Sequence, residues 1–438
     1  MTDLSTLVGF GSGGGSGAGA GDVLHGPTPT ATATIDRTNL DTRKPYEYTS
    51  GMFPGASPNG NIKSRNVFAT WAQWHDQSNG DSGFHISSFS VNRSTGAISI
   101  LQSGPQLVWL NTTVSAMSTT YLVHDAVHGC FFSAGNNGYP GYSSHVFGYT
   151  AGQVDTNGAV AGGTSAYTGA DHAYNGTYCG ALNQGTGTQY FMTGGYQSYA
   201  GHRVHQATAS GLTIGSWVHD ASWTSSSQAY DHMFQPDQTV SSGEAESIHG
   251  TSFSNPDYGF NVMRGGVVSQ LTTENGHSFA QVFTGAGGTT FINHHNSFYG
   301  TVGNGSNSKV SLADGTRDMG LHTITSNPDA SYSSMTVGIG ANKFLFFRPG
   351  HAKLPKDACE LIGIETNQNP KRLATLTFGG GTDSSILDGD AADAFYFPVW
   401  ENDNDTYPKW LVRAPLSDKR NVDIRVYEIT ADFSQYTI

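Results

Sequence analysis

From residue 61 onward, short runs of apolar, aromatic and β-branched residues, four to eight long, alternate with clusters of Gly, Asn, Asp and Ser. Runs of that length bounded by turn formers predict strands and hairpins. The clearest case is residues 83–104, GFHISSFSVNRSTGAISILQSG, where Ile86, Phe89 and Val91 precede the turn Asn-Arg-Ser-Thr-Gly and Ile98 and Ile100 follow it. It predicts a β-hairpin.

The pattern recurs. Residues 130–151 overlay residues 189–208 as an aromatic strand, a Gly/Tyr loop and a His-x-apolar strand, with looser versions at 297–315, 343–366 and 394–430. The anchors Phe68, Phe132, Phe191, Phe298, Phe346 and Phe397 are 64, 59, 107, 48 and 51 residues apart. The long gap holds two periods, the hidden unit drawing on residues 231–238 and 248–266. Seven units over residues 61–438 give 54 residues each, against about 40–50 for four-stranded propeller blades. The expected fold is all-β, a β-propeller of about seven blades; two or three β-sandwiches are the alternative. The last strand, VDIRVYEIT (422–430), is expected to pair with early sequence so that no sheet edge stays open.

Residues 1–60 have a different texture. GSGGGSGAGAG (11–21) has no side chain that can bury surface, and residues 22–60 carry five prolines with few apolar positions. An extended arm that orders on a partner is the expectation for 1–60, with the propeller over 61–438.

Composition narrows the function. Of 438 residues 57 are Gly and 13% are charged, and the net charge is -13. No Lys/Arg run offers a phosphate-tracking surface, so nucleic acid is excluded as a partner. No 18-residue apolar window predicts membrane insertion, and MTDLSTLVGFGSGGG reads as neither a signal peptide nor an anchor. Cys130, Cys179 and Cys359 lie far apart, against a disulfide framework. The Asn-x-Ser/Thr triplets at Asn92, Asn111, Asn175, Asn304 and Asn404 are matches expected by chance in so much Ser and Thr.

Seventeen histidines stand out, many beside an Asp: His75 and Asp76, His124 and Asp125, Asp171 and His172, His219 and Asp220, Asp231 and His232. Without a His-x-His or His-Glu-x-x-His spacing, these pairs are expected to be structural, bonding turns within blades, with no metal and no cofactor. His294 and His295 are adjacent on one strand and point to opposite faces. A glycosidase needs two carboxylates across one bond; Asp171, Asp220, Asp231, Glu244, Glu246 and Asp257 are available, but no pattern pairs them. The phosphate-binding loop, the sialidase turn and the Gly-x-Ser-x-Gly elbow are all missing, and Cys130 reads as a packed thiol. The expectation is a protein without enzymatic activity.

Loop aromatics among Gly, Ser and Asn remain as binding candidates: Tyr139, Tyr142, Tyr196, Tyr199, Trp223, Trp400 and Trp410. Such loops make adaptable surfaces and sugar-stacking platforms.

A Gly-rich start, a Pro/Thr arm and an uncharged Gly/Ser/Thr/Asn-rich β body together resemble virion proteins of tailed bacteriophages, tail fibre or tail-tip components. The resemblance implies a structural virion protein that assembles in the host cytoplasm. Residues 1–60 would join it to other virion proteins or sister subunits in a homo-oligomer, and the β body would meet a host surface glycan or protein. A carbohydrate-binding or carbohydrate-hydrolysing propeller and a bacterial surface interaction propeller are the alternatives.

Overall fold

The hairpin legible in the sequence sets the pattern for the molecule. In the computed structural model β4 (Ser82–Val91) pairs antiparallel with β5 (Ile98–Ile100). The Asn92 side-chain oxygen accepts the backbone N–H groups of Ser94 and Thr95 at 3.0 Å, and Gly96 takes φ +72°. This is an Asx turn ending on a residue with no Cβ to obstruct the left-handed region. Residues 85–89 are buried at every position, so both faces of the sheet are covered. The structure describes residues 22–36, 45–58 and 62–438, apart from many connections between strands; side chains are described for 22–36, 52–58, 63–71, 85–102, 128–131, 152–162, 396–413, 421–438 and parts of 338–378.

Among the described residues the strands form seven antiparallel sheets. In the first, β2 (Pro45–Pro54), β3 (Val67–His75) and β4 are followed by a fourth strand in two pieces, β5 and β6 (Gln106–Leu110), both on β4. The second runs β7 (Val123–His124), β8 (Cys130–Asn136), β9 (Val146–Val154), β10 (Val160–Thr168). The third runs β11 (Tyr178–Asn183), β12 (Thr188–Gly194), β13 (Gly201–Thr208), again with a divided fourth strand, β14 (Gly211–Thr213) and β15 (Val218–His219). The fourth is β16 (His232–Phe234), β17 (Glu246–Gly250), β18 (Gly259–Arg264), β19 (Val267–Thr273). The fifth is β20 (Ser278–Thr284), β21 (Thr290–His295), β22 (Asn307–Ala313), β23 (Asp318–Ser326), and the sixth β24 (Met335–Gly340), β25 (Lys343–Phe347), β26 (Ala358–Gly363), β27 (Lys371–Thr377). First strands of successive sheets touch, β7 with β11, β11 with β16, β16 with β20, β20 with β24, and β24 with β28 (Tyr396–Val399) of the seventh. Among the described residues no helix is long and apolar enough to cross a membrane.

The seventh sheet closes the ring. It holds β28, β29 (Trp410–Arg413), β30 (Val422–Glu428) and, at its outer edge, β1 (Ala31–Ile35) from the start of the chain. Ala31 pairs with Val426 and Ile35 with Val422. Thr34 Oγ1 donates to Asp423 Oδ1 at 2.9 Å. The expected pairing of the last strand with early sequence is present.

The arm expected over residues 1–60 is corrected by the same pairing. Residues 31–35 and 45–54 are strands, and Leu24, His25, Met52 and Phe53 are buried. Residues 1–21 lie outside the described residues. The physical reason is at β30, whose Val422, Ile424 and Val426 pack inward. Without β1, one edge of this central strand would face water unpaired. An edge strand needs backbone groups and small side chains more than an apolar pattern, and ATATI has them.

The described core is three successive layers between sheets. Leu345, Leu361 and Leu376 of the sixth sheet meet Tyr396, Leu411 and Leu24. Phe397, Val412 and Ile424 of the seventh meet Met52, Phe68 and Phe89 of the first. Phe53, Trp71 and Ile86 meet Phe131 and Val154 of the second. Phe68, Phe132, Phe191 and Phe346 all lie on second strands as the repeat predicts, whereas Phe397 lies on the first strand of its sheet. Phe298 lies outside the described residues.

Candidate functional site

Antiparallel order sorts the connections by end. In a sheet of four strands the links between strands two and three, and from strand four to the next sheet, fall at one end; the other links fall at the opposite end. The strands joined by residues 76–81, 137–145 and 195–200, and by the crossovers 169–177 and 220–231, therefore meet those residues at the first end. These carry Tyr139, Tyr142, Tyr196, Tyr199 and Trp223, together with Asp76, Asp171, His172 and Asp231. All nine lie outside the described residues; the strands they join are described. His75 ends β3 and His232 begins β16, also at this end, while His124 ends β7 and Asp125 follows it at the other. The side chains of these three histidines lie outside the described residues, as does Asp125.

Trp400 and Trp410 do not belong to a binding surface. They are 1% and 3% exposed, in the connection between β28 and β29 and at the start of β29, at the opposite end. The Trp410 indole N–H donates to Arg93 O at 2.6 Å, and Lys409 Nζ lies 5.2 Å from its ring centroid. The segment WENDNDTYPKW reads as an exposed polar loop, but Asp403, the Asp405 carbonyl and Lys409 serve a seam with the first sheet.

That seam joins the last sheet to the first. Arg93, from the β4–β5 turn, donates through Nε to Trp400 O at 2.7 Å and through a terminal nitrogen to Lys63 O at 3.0 Å, and pairs with Asp403 at 2.7 Å. Lys63 Nζ donates to Asp405 O at 2.8 Å, and Lys409 Nζ to Ser94 O at 3.1 Å. Arg65, fully buried, lies 5.2 Å from the Phe397 ring centroid. Cations and carbonyls occupied in this way hold sheets together and leave this end built for closure.

On the other side of the last sheet, residues 22–25 bridge β27 and β30. Leu24 N–H donates to Thr377 O and Thr430 N–H to Leu24 O, each at 2.8 Å. His25 is buried between Phe378 and Tyr427, ring centroids at 5.0 and 4.3 Å. Desolvation pushes its pKa below the ordinary value; the bond from Nδ1 to Gly26 O at 2.7 Å works against that shift, and the Arg413 charge adds to it. Imidazole is therefore the neutral ring of a stack here. Nearby, the Tyr436 hydroxyl donates to the Asp22 carboxylate, and burial followed by that carboxylate raises the phenol pKa to about 12. His25 was invisible to sequence reasoning because it sits in a Pro/Thr stretch with no apolar period.

Among the described residues no group of three or more His, Cys, Asp or Glu could hold a metal. Cys130 and Cys359 are buried thiols.

The sheet order and its ring contacts define the class: the chain is a β-propeller. No family model matches it, and no curated protein matches it. Solved structures resemble it in sheet arrangement. AofleA from Arthrobotrys oligospora is 10% identical, over 80% of this chain and 95% of that one, with TM-score 0.39. The polysaccharide lyase ulvan lyase is 11% identical, over 88% and 96%, with TM-score 0.42. The α-L-arabinanase of Penicillium chrysogenum, solved with arabinobiose, is 9% identical, over 93% and 98%, with TM-score 0.42. None of these is a virion protein. The expectation of a protein without enzymatic activity does not stand; the lyase and the arabinanase share the sheet arrangement, and that likeness is one of fold alone. The missing local motif was its basis, and carboxylates brought together from different sheets leave no such motif in sequence.

Proposed function

We propose that the protein is a carbohydrate-binding or carbohydrate-cleaving propeller that meets its glycan at the end receiving residues 137–145, 195–200 and 220–231. One observation carries this reading: connections rich in Tyr, Trp, Gly, Ser and Asn join strands at the same end of two adjacent sheets, the second and third. Aromatic faces stack on the apolar faces of pyranose and furanose rings, and small polar neighbours bond the hydroxyls. Strand order also sorts the carboxylates. Asp171, Asp220, Asp231 and Asp257 stand in sequence next to strand ends at this end, whereas Glu246 begins β17 at the other. Cleavage by acid-base chemistry would draw its two carboxylates from the first set.

A glycan array, followed by reducing-end and unsaturated-product assays on the polysaccharides that bind, tests the reading. Binding that weakens by about tenfold in Tyr139→Ala or Tyr196→Ala supports it, one stacked ring being worth about that much. Binding to no glycan, or binding indifferent to both substitutions and to Trp223→Ala, sinks it.

A further inference from the structure

The seventh sheet brings two arginines side by side. Arg413, the last residue of β29, pairs in register with Arg425 of β30, so the two side chains leave the same face with Cβ atoms about 5 Å apart. That face meets the sixth sheet, since Leu411, two positions before Arg413, packs with Leu345, Leu361 and Leu376. Arg413 is fully buried, whereas the Arg425 side chain is 24% exposed. Asp423 Oδ2 stands 4.0 Å from Arg425, and the other oxygen of that carboxylate accepts from Thr34 Oγ1 at 2.9 Å.

Two buried polar atoms that make no hydrogen bond lie beside this pair, His25 Nε2 and the Tyr427 hydroxyl. Tyr427 is two positions beyond Arg425 and shares its face. The His25 ring stacks on Tyr427, and the Arg413 charge reaches it. Both residues are 1% exposed. His25 Nδ1 meets the carbonyl oxygen of Gly26 at 2.7 Å and so carries the ring proton, which leaves Nε2 of the neutral ring as an acceptor. Burial without a partner is costly for either atom, and a group that supplies one is favoured there. The guanidinium groups call for a negative oxygen, Nε2 calls for an O–H, and the phenol takes either. Water offers the O–H without the charge, and sulfate the charge without the O–H. An oxyanion that retains a proton offers both.

We infer that this cluster between the sixth and seventh sheets binds a small oxyanion of the hydrogen phosphate type, held by Arg413 and Arg425 and oriented through its O–H by His25 Nε2 and by the Tyr427 hydroxyl. Arg425, the partly exposed member, marks the side of entry. The site stands apart from the carbohydrate reading and does not depend on it.

The test titrates full-length protein by calorimetry with inorganic phosphate and with sulfate, at near-neutral pH and fixed ionic strength. Phosphate should bind at least about tenfold more tightly than sulfate, one hydrogen bond to a charged group being worth about that much. Tyr427→Phe keeps the ring stack and removes the hydroxyl, and Arg425→Gln removes the charge at the partly exposed edge; each should weaken phosphate about tenfold. A crystal grown in phosphate should hold the ion between the two arginines. Binding of glucose 6-phosphate at the same cluster would identify a phosphate monoester as the ligand, and its failure to bind would identify the free ion; both support the site. Equal affinity for the two ions, no binding of phosphate, or phosphate binding indifferent to both substitutions overturns the inference, as does a crystal structure with water or one of the chain's own carboxylates across both arginines. The phosphate-to-sulfate ratio is read on the wild type, so it decides the matter even where a variant does not fold.

Discussion

Truncating Leu24 to Ala tests whether residues 22–36 belong to the propeller. The side chain is fully buried among Ile339, Leu345, Leu361, Leu376 and Leu411. Removing buried methyl groups costs about 2–5 kcal/mol, more where the surroundings cannot collapse into the space. Collapse is restricted here because the Leu24 backbone is bonded on one side to Thr377 and on the other to Thr430, so the upper part of the range, about 3–5 kcal/mol, is expected. Urea unfolding followed by tryptophan fluorescence reads the effect, since Trp400 and Trp410 are buried in the adjoining sheet. The midpoint should fall by about 0.5–1 M, the urea slope of a chain this long lying above that of small proteins. Val23→Ala is the control: Val23 is 38% exposed, and a loss within about 0.5 kcal/mol is expected. A Leu24→Ala protein as stable as its Val23→Ala counterpart would show that the segment is an appendage, and would refute the closure described here.

Three further outcomes follow from the geometry. The folded-state pKa of His25 lies below its unfolded value, so its neutral form favours folding; that stability is intact above about pH 6.5 and declines as pH falls through 6.5 toward the folded pKa. His25→Phe should flatten this part of a stability-against-pH curve measured by urea midpoints, and an unchanged slope would contradict the assignment. Gly96→Ala should cost about 1–3 kcal/mol, because φ is +72° and a Cβ would stand 2.9 Å from the Trp410 ring; thermal unfolding with no change in midpoint would count against it. The Tyr436 phenol, with pKa about 12, should stay protonated at pH 11 while exposed tyrosines ionise, so a phenolate difference spectrum between wild type and Tyr436→Phe should be flat there.

The sequence made some features legible and concealed others for physical reasons. The hairpin at 83–104 and the equivalence of 130–151 with 189–208 were readable because strand periodicity and turn residues are local. The partner of the last strand was expected only as early sequence, since register between strands hundreds of residues apart leaves no local mark. β1 escaped as a strand because Ala and Thr at an edge position need only supply backbone bonds. Trp400 and Trp410 misled because Glu401, Asn402, Asp403 and Asp405 advertise a solvated loop, while Arg93 and Lys63 cover it from another sheet. The aromatic connections of the second and third sheets were picked out by composition; that the strands they join turn at the same end of the ring needed the strand order.

The pairing of β1 with β30 has a consequence for the order of events during synthesis. The bond between Thr34 and Asp423 spans 389 positions in the chain, so the outer strand of the seventh sheet emerges from the ribosome well before its partner and waits while six sheets are made. Six sheets can assemble from neighbouring sequence, each by local hairpins, but the ring closes in one long-range step whose loop entropy is met late. A nascent chain released early would expose the edge of β27 and the apolar faces of the first sheet together, a surface suited to pairing with another copy. Refolding should therefore show a slow final phase in which buried tryptophan fluorescence is recovered last, and the yield should fall as protein concentration rises.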